Sequence, residues 1–179
     1  GHGYGVMTGM GNIATIDGVY LQDCRHTTTT TSISSGAIIM NDVYIKNCNA
    51  YLSEWGKEWG TTYAQAMTAY DSHPGTDWLY IDNSSAEGFV SFAKRRNENL
   101  SIHNCKGREL NQILTTTVQS VEPAHITVKN SEWENIGRGI GLDPASNNIA
   151  TIGRLLVDNN IFTNLDGSVV FIGIITDNT

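Results

Sequence analysis

Apolar and polar residues alternate along short segments that recur through the chain. The recurring pattern is apolar-x-apolar-x-Asn/Asp followed by Cys, Ser or Asn, and it occurs at residues 19–24, 43–48, 79–84, 100–105, 126–131 and 155–160. Alternation is the period of a strand with one buried face, so these segments are predicted to be strands and not helices. Their last positions are separated by 24, 36, 21, 26 and 29 residues, which indicates a repeating unit with insertions at its turns.

A second strand is predicted after most copies, and residues 3–7 look like the same element one unit earlier. These second strands cover residues 36–40, 69–73, 88–92, 139–142 and 167–171. Equivalent strands of successive units must pair in parallel, which stacks Asn or Asp above Asn or Asp and Cys or Ser above Cys or Ser. Cys24 and Cys48, in consecutive units, would then be close enough for a disulfide, although small buried thiols are the simpler interpretation.

The sequence therefore predicts an all-β chain, namely a right-handed parallel β-helix of about six to seven coils with a turn insertion around residues 49–68. Residues 1–179 are expected to form a single domain. We also expect a fragment of a longer chain, because the sequence starts inside a coil strand and stops shortly after one. Leucine-rich repeats, propellers and doubly wound α/β sheets do not fit this spacing.

Charge and composition exclude several functional classes. The chain has 11 basic and 18 acidic residues and a formal net charge of −7, which disfavours nucleic acid as a partner. No apolar run reaches the roughly 18 residues that a membrane helix needs, so membrane insertion is not expected. Three cysteines without a C-x-x-C pair indicate no zinc or redox site. No cofactor is predicted, and a divalent cation is left open.

The largest insertion places aromatic residues beside carboxylates, which is what a carbohydrate-binding groove requires. Trp55 and Trp59 are predicted to bind substrate there, with Glu54 and Glu58 as weaker catalytic candidates and Asp77 as a further binding residue. The two tryptophans are four residues apart, so a short helix packed on the coils explains them equally well.

Asp71 and His73 are two residues apart on a predicted strand, so their side chains point to the same face. The register decides whether this face is the interior, and both a structural pair and a functional pair remain open. Arg95 and Arg96 are candidates to bind an anionic glycan, and a solvated turn also explains this basic run.

The order of four segments resembles that in pectate-lyase-like β-helices of phage tail spikes and tail appendages. The segments are Gly3-Tyr4-Gly5-Val6, Cys24-Arg25-His26 followed by threonines, Ala69-Tyr70-Asp71-Ser72-His73, and Gly88-Phe89. Such proteins often carry a Cys-Arg-His segment and a later Asp-Thr-His segment, where this chain has Ser72 in place of Thr. The resemblance covers residues 3–105. It makes His26, Asp71 and His73 the leading catalytic candidates.

The resemblance implies a homotrimeric virion tail protein, acting outside the cell, that binds and often degrades a bacterial surface glycan such as capsule, lipopolysaccharide or teichoic acid. Degradation would proceed by hydrolysis with paired acids or by lyase chemistry with a base. Two alternatives stay open. The chain is either a non-enzymatic receptor-binding or structural shaft, or a cellular polysaccharide lyase or glycoside hydrolase.

Overall fold

A computed structural model of the chain describes residues 4–8, 13–22, 26–30, 40–53, 68–71, 76–95, 99–116, 124–142 and 152–172. Every regular element in these ranges is a β-strand, and the strands pair in parallel. The prediction of an all-β chain is therefore confirmed for the part of the chain that the structure describes. The residues found there also include no helix long and apolar enough to cross a membrane.

The described residues contain the following strands: β1 (Tyr4–Thr8), β2 (Ile13–Asp17), β3 (Tyr20–Gln22), β4 (His26–Thr30), β5 (Met40–Lys46), β6 (Asn49–Tyr51), β7 (Thr68–Asp71), β8 (Thr76–Asp82), β9 (Ser85–Glu87), β10 (Ser91–Arg95), β11 (Asn99–His103), β12 (Lys106–Thr116), β13 (Ala124–Lys129), β14 (Glu132–Leu142), β15 (Ile152–Asp158), β16 (Ile161–Leu165) and β17 (Val170–Ile172).

The strands form two sheets. The six-stranded sheet has the order β15-β13-β11-β8-β5-β2, and the other strands form an eleven-stranded sheet. The long strands β12 and β14 join two columns of that second sheet. The first half of β12 pairs with β9 and its second half with β10. In the same way, β14 pairs with β16 and then with β17.

Five of the six predicted repeats are aligned with one another in the six-stranded sheet. They are residues 43–48, 79–84, 100–105, 126–131 and 155–160. The sixth assignment, residues 19–24, is wrong. The structure pairs Ala14 with Val43 and Asp17 with Lys46, whereas Tyr20–Gln22 is a strand of the eleven-stranded sheet. Alternation is common to all these strands, so it cannot by itself fix which sheet a strand joins.

The second set of predicted strands is real for the most part, but its alignment is wrong. Equating residues 69–73 with residues 88–92 position by position placed Asp71 opposite Val90, whereas the structure pairs Asp71 with Lys94 and Tyr70 with Ala93. Gly88 has φ 84°, so it belongs to a turn and not to a strand. Met40, also assigned to this set, lies in β5 of the six-stranded sheet. Residues 36–39 lie outside the described part of the chain.

The insertion predicted around residues 49–68 begins and ends in regular structure. Asn49–Tyr51 is β6, which pairs with β3 and β9, and Thr68 is the first residue of β7. Residues 54–67 lie outside the described residues.

Asparagine occupies the turn that follows the strand of each aligned repeat. The five turn asparagines all adopt left-handed backbone conformations: Asn47, Asn83, Asn104, Asn130 and Asn159. Gly18, with φ 67°, takes the same position after β2. Asparagine and glycine are the residues that tolerate this conformation best. Asn side chains also link neighbouring strands, since Asn83 Nδ2 donates to Asn47 Oδ1 at 2.6 Å and Asn159 Nδ2 to Asn130 Oδ1 at 2.7 Å. The predicted Asn stack is thus present.

The residue after each turn asparagine completes the turn by hydrogen bonding in two directions. Ser131 Oγ accepts a bond from Cys105 N at 3.0 Å and donates one to Lys129 O at 2.7 Å. Ser84 Oγ does the same with Cys48 N and Asp82 O. These side chains supply the acceptors for the buried backbone N–H groups of Cys105 and Cys48, so their role is structural.

Cys48 and Cys105 are buried free thiols at this same position. Val19, not Cys24, occupies the equivalent position before Cys48, so the expectation that Cys24 and Cys48 are consecutive is wrong. Cys24 itself lies outside the described residues. Burial raises the pKa of Cys105 to about 12, and it also raises that of Cys48. Both thiols are therefore protonated, unreactive packing residues at neutral pH.

A second series of turns divides the long strands of the eleven-stranded sheet. Its members with left-handed backbone are Gly88, Glu109, Asn135 and Asn164. Asn135 Nδ2 donates to Glu109 Oε1 at 2.7 Å, and Asn164 Nδ2 donates to Asn135 Oδ1 at 2.9 Å. Glu109 is the member of this series whose residue type least favours the conformation.

The core lies between the inward faces of the two sheets. The six-stranded sheet contributes aliphatic residues that are each at most 1% exposed: Val43, Ile45, Leu79, Ile81, Leu100, Ile102, Ile126 and Val128. The eleven-stranded sheet contributes the aromatic rings of Tyr70, Phe92 and Trp133, which pack edge to face at centroid distances of 5.0 and 5.2 Å. A Cβ on Gly107 would lie 2.5 Å from the Trp133 ring, so glycine is required beneath it. The described interior is filled by packing, and chemistry must therefore lie on the outward faces.

Candidate functional site: an aromatic step on the six-stranded sheet

The predicted catalytic residue Asp71 is buried. Its side chain belongs to β7, all four residues of which are buried, so both faces of this strand are covered. Asp71 is only 1% exposed and does not line an open groove. His73, its proposed partner, lies outside the described residues, so their joint role stays a prediction.

The structure does not bring His26 into register with Asp71. His26 begins β4 opposite Thr68, three residues before Asp71. Arg95 ends β10 opposite Thr116, and the side chains of His26 and Arg95 are not described. Five further candidates lie outside the described residues: Glu54, Trp55, Glu58, Trp59 and Arg96.

The outward face of the six-stranded sheet carries the aromatic residues that the structure does describe. Tyr44 on β5 lies opposite Tyr80 on β8, and their rings stack with centroids 4.7 Å apart and an interplanar angle of 6°. Trp78, two residues before Tyr80 on the same face, is nearly parallel to it, with centroids 5.3 Å apart. All three side chains are partly exposed. The predicted binding residue Asp77 is exposed beside Trp78.

The three rings end abruptly at the next strand. Trp78 lies opposite Asn99, and Tyr80 lies opposite Ser101, both of which are small, polar and partly exposed. Large rings on β8 followed by short side chains on β11 form a step, and Ser101 is followed in turn by Thr127 on β13. We call Tyr44, Trp78, Tyr80, Asn99 and Ser101 the aromatic step.

Such a step combines the two contacts that a sugar ring requires. The apolar face of a pyranose packs on an aromatic ring, while its hydroxyl groups hydrogen-bond to amide and hydroxyl side chains. Asn99 is fixed in place because its Oδ1 accepts a bond from the backbone N of His125 at 2.9 Å. The parallel strands around it are spaced about 4.8 Å apart, which gives a regular surface for an extended ligand.

Charges surround the aromatic step unevenly. Asp42 lies opposite Trp78 and two residues before Tyr44. Partial burial, and after it the charge of Asp42, raise the pKa of Tyr80. On the other side of Tyr44, Lys46 Nζ lies 5.2 Å from the ring centroid, where the cation is attracted to the π-face.

His103 lies beside the aromatic step and contacts both an acidic side chain and a turn asparagine. Its Nδ1 lies 3.5 Å from Asp82 Oδ1, and its Nε2 lies 2.7 Å from Asn130 Nδ2. Its Nδ1 also lies 3.3 Å from Asn104 Nδ2. His103 is thus held in one orientation at the edge of the step.

A shallow groove of about 380 Å³ lies on the eleven-stranded sheet, over β9, β12, β14 and β16. Four of its charged groups are paired, since Lys106 Nζ lies 2.9 Å from Glu132 Oε2 and Arg108 Nε lies 3.7 Å from Glu134 Oε2. These pairs join neighbouring strands in the manner of cross-strand contacts that stabilise a sheet. The carboxylates of Glu132 and Glu134 are therefore explained by strand pairing.

The described residues offer no evident site for a metal cofactor. No three His, Cys, Asp or Glu side chains among them are arranged as metal ligands. The chemistry that the aromatic step can perform with the side chains present is binding by stacking and hydrogen bonding.

Sequence reasoning missed the aromatic step, although the repeat contained a signal for it. Tyr44 and Tyr80 occupy the same polar position of two aligned repeats, where alternation directs a side chain outward. A large ring that recurs at an outward position indicates a surface feature. The prediction instead favoured Trp55 and Trp59, because they are close to acidic residues in the sequence.

Comparisons of the chain with known protein families, with curated proteins and with solved structures find no match.

Proposed function

We propose that this chain is a segment of a right-handed parallel β-helix, of the kind found in phage tail spikes and appendages, that binds a bacterial surface polysaccharide at the aromatic step. Three lines of argument support this: the order of the strands, the chemistry of the step, and the resemblance of the sequence motifs. The aromatic step is the single observation that carries the proposed binding function.

The order of the strands supports a β-helix. The chain passes from the six-stranded sheet to the two columns of the eleven-stranded sheet and returns, as in β5, β6, β7 and then β8, β9, β10. Each return places the new strand parallel to the previous one in the same sheet. Connections between parallel strands of one sheet are right-handed in nearly all proteins, which favours the right-handed form.

The chemistry of the step supports a polysaccharide ligand rather than a small molecule. The site is an open surface on a sheet of parallel strands, whereas small molecules are usually bound in enclosed pockets. A polymer gains affinity by repeating weak contacts along such a surface. Trp78 and Tyr80 would stack on one sugar ring, and Ser101 with Thr127 would bind hydroxyl groups further along.

The test is a binding experiment with purified capsule, lipopolysaccharide and teichoic acid. We expect wild-type protein to bind at least one of them, and Tyr80→Ala or Trp78→Ala to weaken binding about ten-fold or more, as the loss of a stacked ring does at a stacking platform. Tyr20→Ala is the matched control, because Tyr20 is exposed but belongs to β3 of the other sheet. Equal binding by Tyr80→Ala and wild type would exclude the aromatic step as the site.

The same samples test degradation and assembly. Shortening of a bound glycan would show that the segment is also a depolymerase, as the resemblance implies, and intact glycan would favour a receptor-binding shaft. Light scattering tests the homotrimer, and a monomer would favour a cellular carbohydrate-active protein.

A further inference from the structure

The outward face of the six-stranded sheet is asymmetric in charge along its length. The column that contains Trp78 runs from Asp42 on β5 through Asn99 and His125 to Arg154 on β15. The acidic end therefore lies behind the aromatic rings, and the basic end lies beyond the polar side chains. An extended ligand lying along this column would meet both ends.

Arg154 differs from the other cations on this face. Lys129 Nζ is 3.6 Å from Asp158 Oδ2, and Lys46 lies over the ring of Tyr44. Arg154 is exposed and makes no ion pair with any residue that the structure describes. Its guanidinium is therefore available to a ligand, and a guanidinium binds a carboxylate through two parallel hydrogen bonds.

The distance between the rings and Arg154 suits neighbouring sugars of one glycan. Three strand spacings separate β8 from β15, which amounts to roughly 14 Å across the sheet, and the long Arg side chain shortens this span. The intervening side chains of Asn99, Ser101 and Thr127 are short and polar, and His125, the neighbour of Arg154, is exposed. They leave room for a polysaccharide to lie against the strands between the two ends.

We infer that the polysaccharide bound at the aromatic step carries an acidic sugar, and that Arg154 beside His125 binds the acidic group of that sugar. One sugar stacks on Trp78 and Tyr80, and the carboxylate of a sugar further along the chain reaches the guanidinium. Asp42 at the opposite end repels the same group, so the glycan binds in one direction. This inference rests on the proposed function and adds the charge of the ligand.

The experiment compares acidic polysaccharides with their carboxyl-reduced forms, which differ from them only in charge. We expect wild-type protein to bind the acidic form more tightly. Arg154→Gln should weaken its binding about ten-fold, since a hydrogen bond to a charged group contributes on the order of 1.5 kcal/mol, and should leave binding of the reduced form unchanged. Asp42→Asn should strengthen binding of the acidic form. Arg108→Gln removes an equal charge from the other sheet and is the control.

The outcomes separate the two proposals. Binding that requires Tyr80 but is equal for acidic and reduced forms, or is unaffected by Arg154→Gln, would overturn the inference and leave the proposed function intact. Binding that does not require Tyr80, or no binding of either form, would overturn both. A glycerol phosphate polymer, tested in parallel, shows whether Arg154 binds a phosphate instead of a carboxylate, and binding of that polymer alone would also count against an acidic sugar.

Discussion

Replacement of Ser131 with alanine tests whether the side chains after the turn asparagines hold neighbouring strands together. Ser131 is 1% exposed, and its Oγ makes two hydrogen bonds, one with Cys105 N and one with Lys129 O. Alanine removes both bonds without creating a large cavity. Any loss of stability can therefore be assigned to hydrogen bonding.

The expected loss of stability in Ser131→Ala can be worked out from the two hydrogen bonds. Loss of the bond to Lys129 O costs about 0.5 to 1.5 kcal/mol, and leaving the buried Cys105 N–H without its acceptor costs about 1 to 3 kcal/mol. We expect Ser131→Ala to lower the free energy of unfolding by about 2 to 4 kcal/mol. Ser131→Cys should cost about 1 kcal/mol or less, because a thiol at the equivalent Cys105 donates to its own carbonyl acceptor, His103 O, at 3.2 Å.

Two measurements check this prediction. Urea unfolding followed by circular dichroism gives the change in stability, and hydrogen exchange gives the protection of the Cys105 amide. That amide should exchange faster in Ser131→Ala than in Ser131→Cys. Thr163→Ala, at an exposed position of β16, should change stability by about 0.5 kcal/mol or less. Equal losses for alanine and cysteine, with unchanged exchange at Cys105, would refute the role assigned to this side chain.

Three other substitutions should have measurable effects. Thr76 Oγ1 is buried without a hydrogen-bond partner among the described residues. Thr76→Val should therefore raise the free energy of unfolding by about 1 kcal/mol, measured as a higher urea midpoint, and a lower midpoint would contradict this. Glu109→Asn should stabilise by about 1 kcal/mol in the same assay, because asparagine tolerates φ 51° and can still accept from Asn135, whereas Glu109→Ala should destabilise. Burial raises the pKa of Cys105 from 9.0, the ordinary value of a thiol, to about 12, so the protonated thiol stabilises the fold below pH 9 and this contribution is lost as the pH rises towards 12. Cys105→Ser should flatten this alkaline loss of stability, and an unchanged pH profile would argue against burial as the cause.

Most of the repeat could be predicted from the sequence, because its alternation reflects the burial of one strand face and its asparagine reflects the left-handed backbone of the turn. An inward aliphatic pair and a left-handed turn residue recur in every aligned copy, so five copies were assigned correctly. The first copy was misassigned because Gly18 meets the requirement for the left-handed turn without resembling asparagine. Only the register of β2 with β5 shows that Ala14, not Val19, begins that copy.

The candidate site was less predictable, because it is made by register between strands that are distant in sequence. Tyr44 and Tyr80 are 36 residues apart and become stacked only when β5 and β8 pair. Asp42 and Arg154 are 112 residues apart and share a column only through four successive strand pairings. The prediction of Trp55 and Trp59 relied on residues that are close in sequence, and such closeness does not indicate which strands pair or in which register.

The two faces of the six-stranded sheet are free to serve different purposes because alternation separates them completely. Inward positions are restricted to aliphatic residues by packing, and turn positions to asparagine or glycine by the backbone. Outward positions such as Asn99, Ser101 and Thr127 are subject to neither restriction, so their residue types can be selected for contacts with a ligand. Arg154 and Asp42 could therefore be changed without loss of the fold, and their opposite effects on an acidic glycan would distinguish binding from structural roles.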